Sequence, residues 1–269
     1  MATDPDADRV GIAVKNDKGK FVLLSGNQTA VLLFHYVLSA WERAGKLQGN
    51  EYIVKTIVTT YLLDKIAESK AVECYNTLTG FKHMGTLITS LEGKKKFIVG
   101  GEESFGYMVG DYARDKDAIV SCAMIAEMCA YYKDIGKSLY EALKDIHLEY
   151  GLYLERLVSI RKEGKKGAEE IQAMMDGFRS NPPEKLGNSK VVTVKDYLSS
   201  EEKNLRDGKI QRIDLPKSNV LQFITEQGSI ISARPSGTEP KIKFYFEVRE
   251  ALGPEEPLTA AEVIARNRT

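Results

Sequence analysis

The sequence predicts an α/β protein: a βαβ domain on a parallel sheet, followed by a smaller α+β domain. Two changes of pattern carry this expectation. From residue 51, short β-branched runs (52–58, 71–75, 96–100) alternate with helical stretches (62–69, 81–91), and such alternation builds a parallel sheet. Near Gly151 the pattern turns into runs of strands (153–160, 191–194, 221–225, 229–233, 242–248) with a helix at 167–178, as in α+β domains. The length of 269 residues suits about two domains, and 43% hydrophobic with 28% charged residues is an ordinary globular composition.

Composition also excludes function classes. Lys+Arg and Asp+Glu are equal at 38 each, so no global field favours nucleic acid or an anionic membrane, and any anion site must be local. No apolar run approaches a membrane span and no signal-peptide pattern opens the chain. Cys74, Cys122 and Cys129 are odd in number and form no Cys-x-x-Cys pair, which argues against a disulfide framework or structural zinc and for a reducing cytoplasm.

In chain order, residues 10–14 and 21–24 read as strands around the turn Asn16-Asp17-Lys18-Gly19. Ser25 or Asn27 caps a helix over 30–43, within which His35 is a packed core residue, and 45–50 is a linker. After the βαβ segment, acids lead into a helix over 118–132. Gly136-Lys137-Ser138 is no phosphate-binding P-loop, because Tyr131 stands where the first glycine is required; Ser138 caps a helix over 139–150 instead, with His147 structural. The basic run 161–166 is too short for a nucleic-acid site, Asn181-Pro182-Pro183 breaks the following helix, and a helix from about Leu258 closes the chain.

Three stretches carry chemistry. Asp4, Asp6 and Asp8 alternate, so an extended loop gathers three carboxylates on one side, a set suited to a hard cation such as Mg²⁺. A calcium EF-hand loop fails, since Arg9 and Lys15 occupy the positions that need glycine and glutamate. Glu102 and Ser104 follow a buried strand, where ligands of parallel sheets gather, and alternate with Glu103, so both can face adjacent hydroxyls of one sugar. In the loop between two late strands, Arg234 offers a planar fork and Lys241 a second charge for a phosphate. Ser236 and Thr238 add hydroxyls there, and Gly237 lets backbone amides turn toward an anion.

Asp-Pro-Asp-Ala-Asp-Arg at 4–9, Gly-Glu-Glu-Ser-Phe-Gly at 101–106 and Arg-Pro-Ser-Gly-Thr-Glu-Pro-Lys at 234–241, in that order, resemble the α-D-phosphohexomutase family, in its phosphoglucomutase/phosphomannomutase branch. The resemblance implies a mutase of hexose phosphates, an isomerase working between the 1- and 6-phosphates with Mg²⁺ and a hexose 1,6-bisphosphate activator. It implies that Asp4, Asp6 and Asp8 hold the metal with Arg9 beside it, that Glu102 and Ser104 hold sugar hydroxyls, and that Arg234, Ser236, Gly237, Thr238 and Lys241 clamp the distal phosphate. Thr79 and Gly80 resemble a second loop beside the substrate. Arg114 and Lys116 match basic positions near the reacting phosphate, Lys116 as proton carrier or charge stabiliser.

By the same resemblance, residues 1–45 are a remnant of domain II, 46–150 are domain III and 151–269 are domain IV. The family's Ser-His-Asn-Pro-type phosphoserine loop has no counterpart in the sequence. The expectation is a C-terminal part of a mutase, inactive alone. The alternatives are a non-catalytic hexose-phosphate-binding module or half of a split enzyme completed by a separate N-terminal portion. A haloacid-type phosphatase, which also uses Asp-x-Asp, needs a strand directly before its nucleophile, and none precedes Asp4.

Overall fold

The computed structural model describes residues 1–237 and 239–250. They fall into two compact units, Met1–Leu152 and a second that begins at Tyr153.

The first unit opens on two antiparallel ribbons, β1 (Ala2–Thr3) with β2 (Val10–Gly11) and β3 (Ala13–Lys15) with β4 (Phe21–Leu23); the two-residue β1 stands directly before Asp4, where the sequence reading expects no strand. The expected strand 10–14 is thus two pieces broken at Ile12, which is buried. Helix α1 (Gly26–Arg43) starts at Ser25, whose Oγ accepts from the Gln28 amide at 3.1 Å while the Gln28 side chain accepts from the Ser25 amide at 2.9 Å. This reciprocal cap satisfies two otherwise orphaned donors and fixes where the helix begins.

The sheet follows: β5 (Glu51–Thr56), α2 (Leu62–Ser69), β6 (Glu73–Thr77), α3 (Phe81–Leu91), β7 (Lys96–Glu102), β8 (Gly106–Val109), α4 (Ala118–Asp134) and α5 (Leu139–Tyr150). Strand order is β6-β5-β7-β8, with β5 parallel to both neighbours and β8 antiparallel to β7. β5 is buried along its whole length, as the central strand of a parallel sheet covered on both faces should be. Tyr52, Val54, Phe81, Met84, Ile88, Phe97 and Met108 pack into the core beneath α3. β8 has no counterpart in the sequence reading: Gly106–Val109 turns back onto β7 and adds an antiparallel edge.

The second unit holds β9 (Leu152–Arg161), α6 (Gly164–Ser180), β10 (Lys185–Leu186), β11 (Ser189–Asp196), β12 (Glu201–Asn204), β13 (Ile210–Arg212), β14 (Leu221–Thr225), β15 (Ile230–Pro235) and β16 (Lys241–Glu250). The main path of its sheet runs β13-β12-β11-β14-β15-β16-β9, with β10 on β11. Ile171 and Met175 of α6 pack on Val191, Leu221, Phe223, Ala233 and Ile242 of this sheet. The expected helix near Leu258 lies outside the described residues.

Candidate active site

Four separate loops of the first unit meet where β5, β6 and β7 end. The first is the Asp-rich turn between β1 and β2. Asp4 folds inward: its Oδ1 accepts from the amides of Asp8 at 3.2 Å and Arg9 at 3.1 Å. Desolvation pushes its carboxyl up, but those amides outweigh it and hold the group below its ordinary range. Ala7 takes φ 54°, in the left-handed region, to close the turn. The Ala7 carbonyl receives the Ala118 amide of α4 at 3.2 Å, and Arg9 bridges to Gly106. The turn is therefore docked between the α4 N-terminus and the start of β8. Asp6 is exposed.

Lys116, just before α4, closes the same corner. Its Nζ lies 3.0 Å from Asp8 Oδ2 and 2.9 Å from Asp115 Oδ1, with the Phe81 ring centroid 5.0 Å away. Burial pushes its ammonium pKa down, but the two carboxylates prevail and raise it, so the side chain stays charged. Asp8 Oδ1 is buried without a hydrogen-bond partner.

The third loop follows β7. Glu102 is 7% exposed and accepts the Gly80 amide on Oε1 at 2.6 Å, while the Ser104 hydroxyl donates to its Oε2 at 3.4 Å. Gly80, at φ 108°, supplies a backbone shape that a side chain would strain. Glu103 turns the other way, where Thr56 and Thr59 donate to its Oε2 at 3.4 and 3.3 Å. The alternation thus sets Glu102 and Ser104 apart from Glu103, which anchors the turn. Thr79, in the fourth loop, is half-buried beside Gly80.

Arg114 does not join this group. Its guanidinium donates to the carbonyls of Asp111 and Ala113 and pairs with Glu92 at 3.4 Å, beyond the far end of α3 from Gly80. His83 is a residue that sequence reasoning passed over: in the first turn of α3, it is half-buried and feels the Glu102 charge. Burial, then Lys82, lowers its pKa, against the pull of Glu102. Its only signal in the sequence is its place three residues after Gly80.

In the second unit, the turn between β15 and β16 carries the phosphate-binding candidates. Arg234 pairs in register with Lys243, and Ser236 donates its amide to the Lys241 carbonyl at 2.8 Å. The Glu239 amide donates to Ser236 Oγ at 3.4 Å. Lys241 forms an ion pair with Glu239, which Arg161 also contacts at 3.2 Å. Arg234 is half-buried, and no ion pair engages it among the described residues. Gly237 is exposed, and Thr238 lies outside the described residues.

By donor chemistry three carboxylates would suit a hard divalent cation, and one Asp8 oxygen is buried without a hydrogen-bond partner. Among the described residues no three acidic, histidine or cysteine groups converge as a metal site, so the expected gathering of Asp4, Asp6 and Asp8 on one side is not seen; Asp4 accepts from the amides of its own loop and Asp6 is exposed.

Two family descriptions match this chain: the α/β/α domain III of phosphoglucomutase/phosphomannomutase over residues 25–150, and the C-terminal domain of the same family over 159–252. The phosphoglucomutase of Staphylococcus haemolyticus is 35% identical over 248 residues, 92% of this chain and 44% of that protein. That of Staphylococcus aureus strain MRSA252 is 36% identical over 249 residues, 93% of this chain and again 44% of the relative. Among solved structures, parafusin (a phosphoglucomutase) from Paramecium in its open form aligns with a TM-score of 0.64 at 20% identity, covering 99% of this chain and 43% of that one. A phosphomannomutase from Thermus thermophilus aligns at 0.57 and 21%, over 98% and 44%. The two family matches place the chain in the class of the phosphohexomutases, a family of sugar-phosphate isomerases. The chain belongs to the phosphoglucomutase/phosphomannomutase family, carries its domain III and C-terminal domain, and spans about 44% of the length of the curated relatives it matches.

Proposed function

We propose that this chain supplies the sugar-, cation- and phosphate-handling groups of a mutase that moves a phosphoryl group between O1 and O6 of a hexose. The observation that carries the reading is the meeting of four loops at one end of the parallel sheet, with Lys116 bonded to Asp8 and Glu102 bonded to the Gly80 amide. Relatives named phosphoglucomutase over nearly the whole chain support it. So does a fold neighbour, the N-acetylphosphoglucosamine mutase of Aspergillus fumigatus, solved with GlcNAc-6P and magnesium (TM-score 0.50, 16% identity, covering 99% of this chain and 47% of that one).

Phosphoryl transfer asks a protein mainly for positioning and charge stabilisation. Glu102 and Ser104 accept and donate to neighbouring sugar hydroxyls, a pattern that either orientation of the hexose can meet. Arg234 grips the phosphate that does not react, aided by Ser236, Gly237, Thr238 and Lys241. Lys116 keeps its proton and faces the reacting phosphate as a positive charge or proton donor, with Arg9 beside it. Asp4, Asp6 and Asp8 would hold Mg²⁺, which would supply positive charge against the transferring group. Arg114, paired with Glu92 and bonded to the Asp111 and Ala113 carbonyls, supports the α3 end.

No phosphoserine loop of the Ser-His-Asn-Pro type occurs in these residues, so by themselves they have no phosphoryl carrier and turn over no substrate. The relatives extend well beyond the 44% of their length that this chain spans, and a portion of that kind would supply the carrier, primed by a hexose 1,6-bisphosphate. No described helix is long and apolar enough to cross a membrane, and three free cysteines suit a reducing cytoplasm. The test is calorimetric binding of glucose 1-phosphate and glucose 1,6-bisphosphate to the chain. Saturable binding that weakens in Glu102→Gln is expected, and binding indifferent to that change contradicts the assignment.

A further inference from the structure

We propose that Lys116 is a built-in counter-ion that competes with a divalent cation for Asp8, so that metal loading and release of the Lys116 ammonium are one event. This rests on the reading of residues 4–8 as a cation site. The Lys116 side chain is 13% exposed, and its ammonium sits 3.0 Å from one oxygen of a carboxylate whose other oxygen is buried without a partner. Asp8 is thus half claimed by an internal cation and half open to another. A divalent ion on that open oxygen would stand a few ångströms from the ammonium, and such a repulsion at about 4 Å weakens metal binding by at least about tenfold even where the dielectric is high.

The surroundings hold the Lys116 stem while leaving its head a second place to go. Gly106 lies against the methylenes so closely that a Cβ there would stand 2.3 Å from Lys116 Cδ, and Phe81, 4% exposed, presents its ring to the ammonium. Asp115, whose side chain is 73% exposed, already lies 2.9 Å from Nζ and can keep the ammonium when Asp8 lets go. Gly106 and Phe81 are therefore positioning residues for Lys116. Phe81 follows Gly80, whose amide bonds Glu102, and so sets the Glu102 contact beside Lys116.

The test is titration of the full chain with Mn²⁺ followed by electron paramagnetic resonance, in the wild type and in Lys116→Met, Lys116→Arg and Asp8→Asn. The methionine variant, which keeps the stem length, should bind Mn²⁺ at least about tenfold more tightly, while arginine should not. Asp8→Asn should abolish the site. Equal affinity in wild type and Lys116→Met, with binding still lost in Asp8→Asn, overturns the competition and leaves the cation site standing. Binding that is absent, or indifferent to Asp8→Asn, overturns the cation site itself and the competition with it. Reductive methylation of wild-type Lys116, followed by mass spectrometry, gives a readout free of mutation. Its rate should rise when Mn²⁺ is added, and an unchanged or slower rate contradicts the proposal.

Discussion

Arg234 and Lys241 flank one turn, yet their charges stand differently: Lys241 is neutralised by Glu239, and no ion pair engages Arg234 among the described residues. Glu239 reports the same pairing, since the Lys241 hydrogen bond holds its carboxyl below the ordinary range. A charge-assisted bidentate contact contributes roughly 1.5–3 kcal/mol. Arg234→Ala should therefore weaken glucose 1-phosphate binding by at least about tenfold in calorimetry, and Lys241→Ala by less than about threefold, because its charge is already spoken for. His147 offers a second prediction. Its Nδ1 lies 3.4 Å from the Gly151 carbonyl, its Nε2 is buried without a partner, and burial pushes its pKa from 6.5 down to about 4. The folded state then binds fewer protons than the unfolded chain between those values. Stability from this group is complete above pH 6.5 and falls as the pH drops to about 4, by on the order of 3 kcal/mol. Thermal melts over that range should show a shallower acid loss in His147→Leu. Alternation anticipated that Glu102 and Ser104 lie together with Glu103 turned away, whereas the expected gathering of Asp4, Asp6 and Asp8 is not seen. The Lys116–Asp8 pair and the outward turn of Arg114 were not legible in the sequence, because both depend on which distant chain segment packs alongside.

At the scale of elements, the turn after β7 is fixed from beneath by α1. A Cβ on Gly26 would stand 1.9 Å from the Glu103 carbonyl oxygen, so the helix start and the turn can approach only through glycine. Gly26→Ala should cost more than about 2 kcal/mol in denaturant unfolding and weaken hexose-phosphate binding as well, since Glu102 and Ser104 move with the turn. The link between β5 and α2 has its own lock. Lys55 is fully buried; desolvation alone would lower its pKa, yet Asp64 at 3.0 Å and Tyr61 raise it, and its Nζ donates to the Thr59 carbonyl at 3.2 Å. Removing only the partner, Asp64→Leu, should cost about 3–5 kcal/mol, whereas the double change Lys55→Met with Asp64→Leu should recover much of it in the same unfolding assay. Elements with strong periodicity, such as β5, α1 and α3, were readable in sequence. β8 was not, being four residues long and glycine-led, nor were β12 and β13, whose mostly polar or exposed residues on the outer part of a sheet carry no apolar alternation.

At the scale of the molecule, the two compact units and the two matched family domains explain why the pattern of the sequence changes near Gly151: a parallel sheet covered by helices gives way to a sheet of antiparallel pairs packed on α6. The sugar and cation candidates lie in one unit and the phosphate candidates in the other. Each can therefore be disabled separately, by Glu102→Gln or Arg234→Ala, while the other unit keeps its fold. The central claim is that these residues handle substrate but lack the phosphoryl carrier. The most direct measurement is isomerisation of glucose 1-phosphate with Mg²⁺ and glucose 1,6-bisphosphate, by the chain alone and after mixing with the portion of a Staphylococcus phosphoglucomutase that precedes domain III. The expected result is no turnover alone, and turnover on mixing that disappears with Arg234→Ala. Sustained turnover by the 269 residues alone would contradict the account, because some other residue here would then have to carry the phosphoryl group.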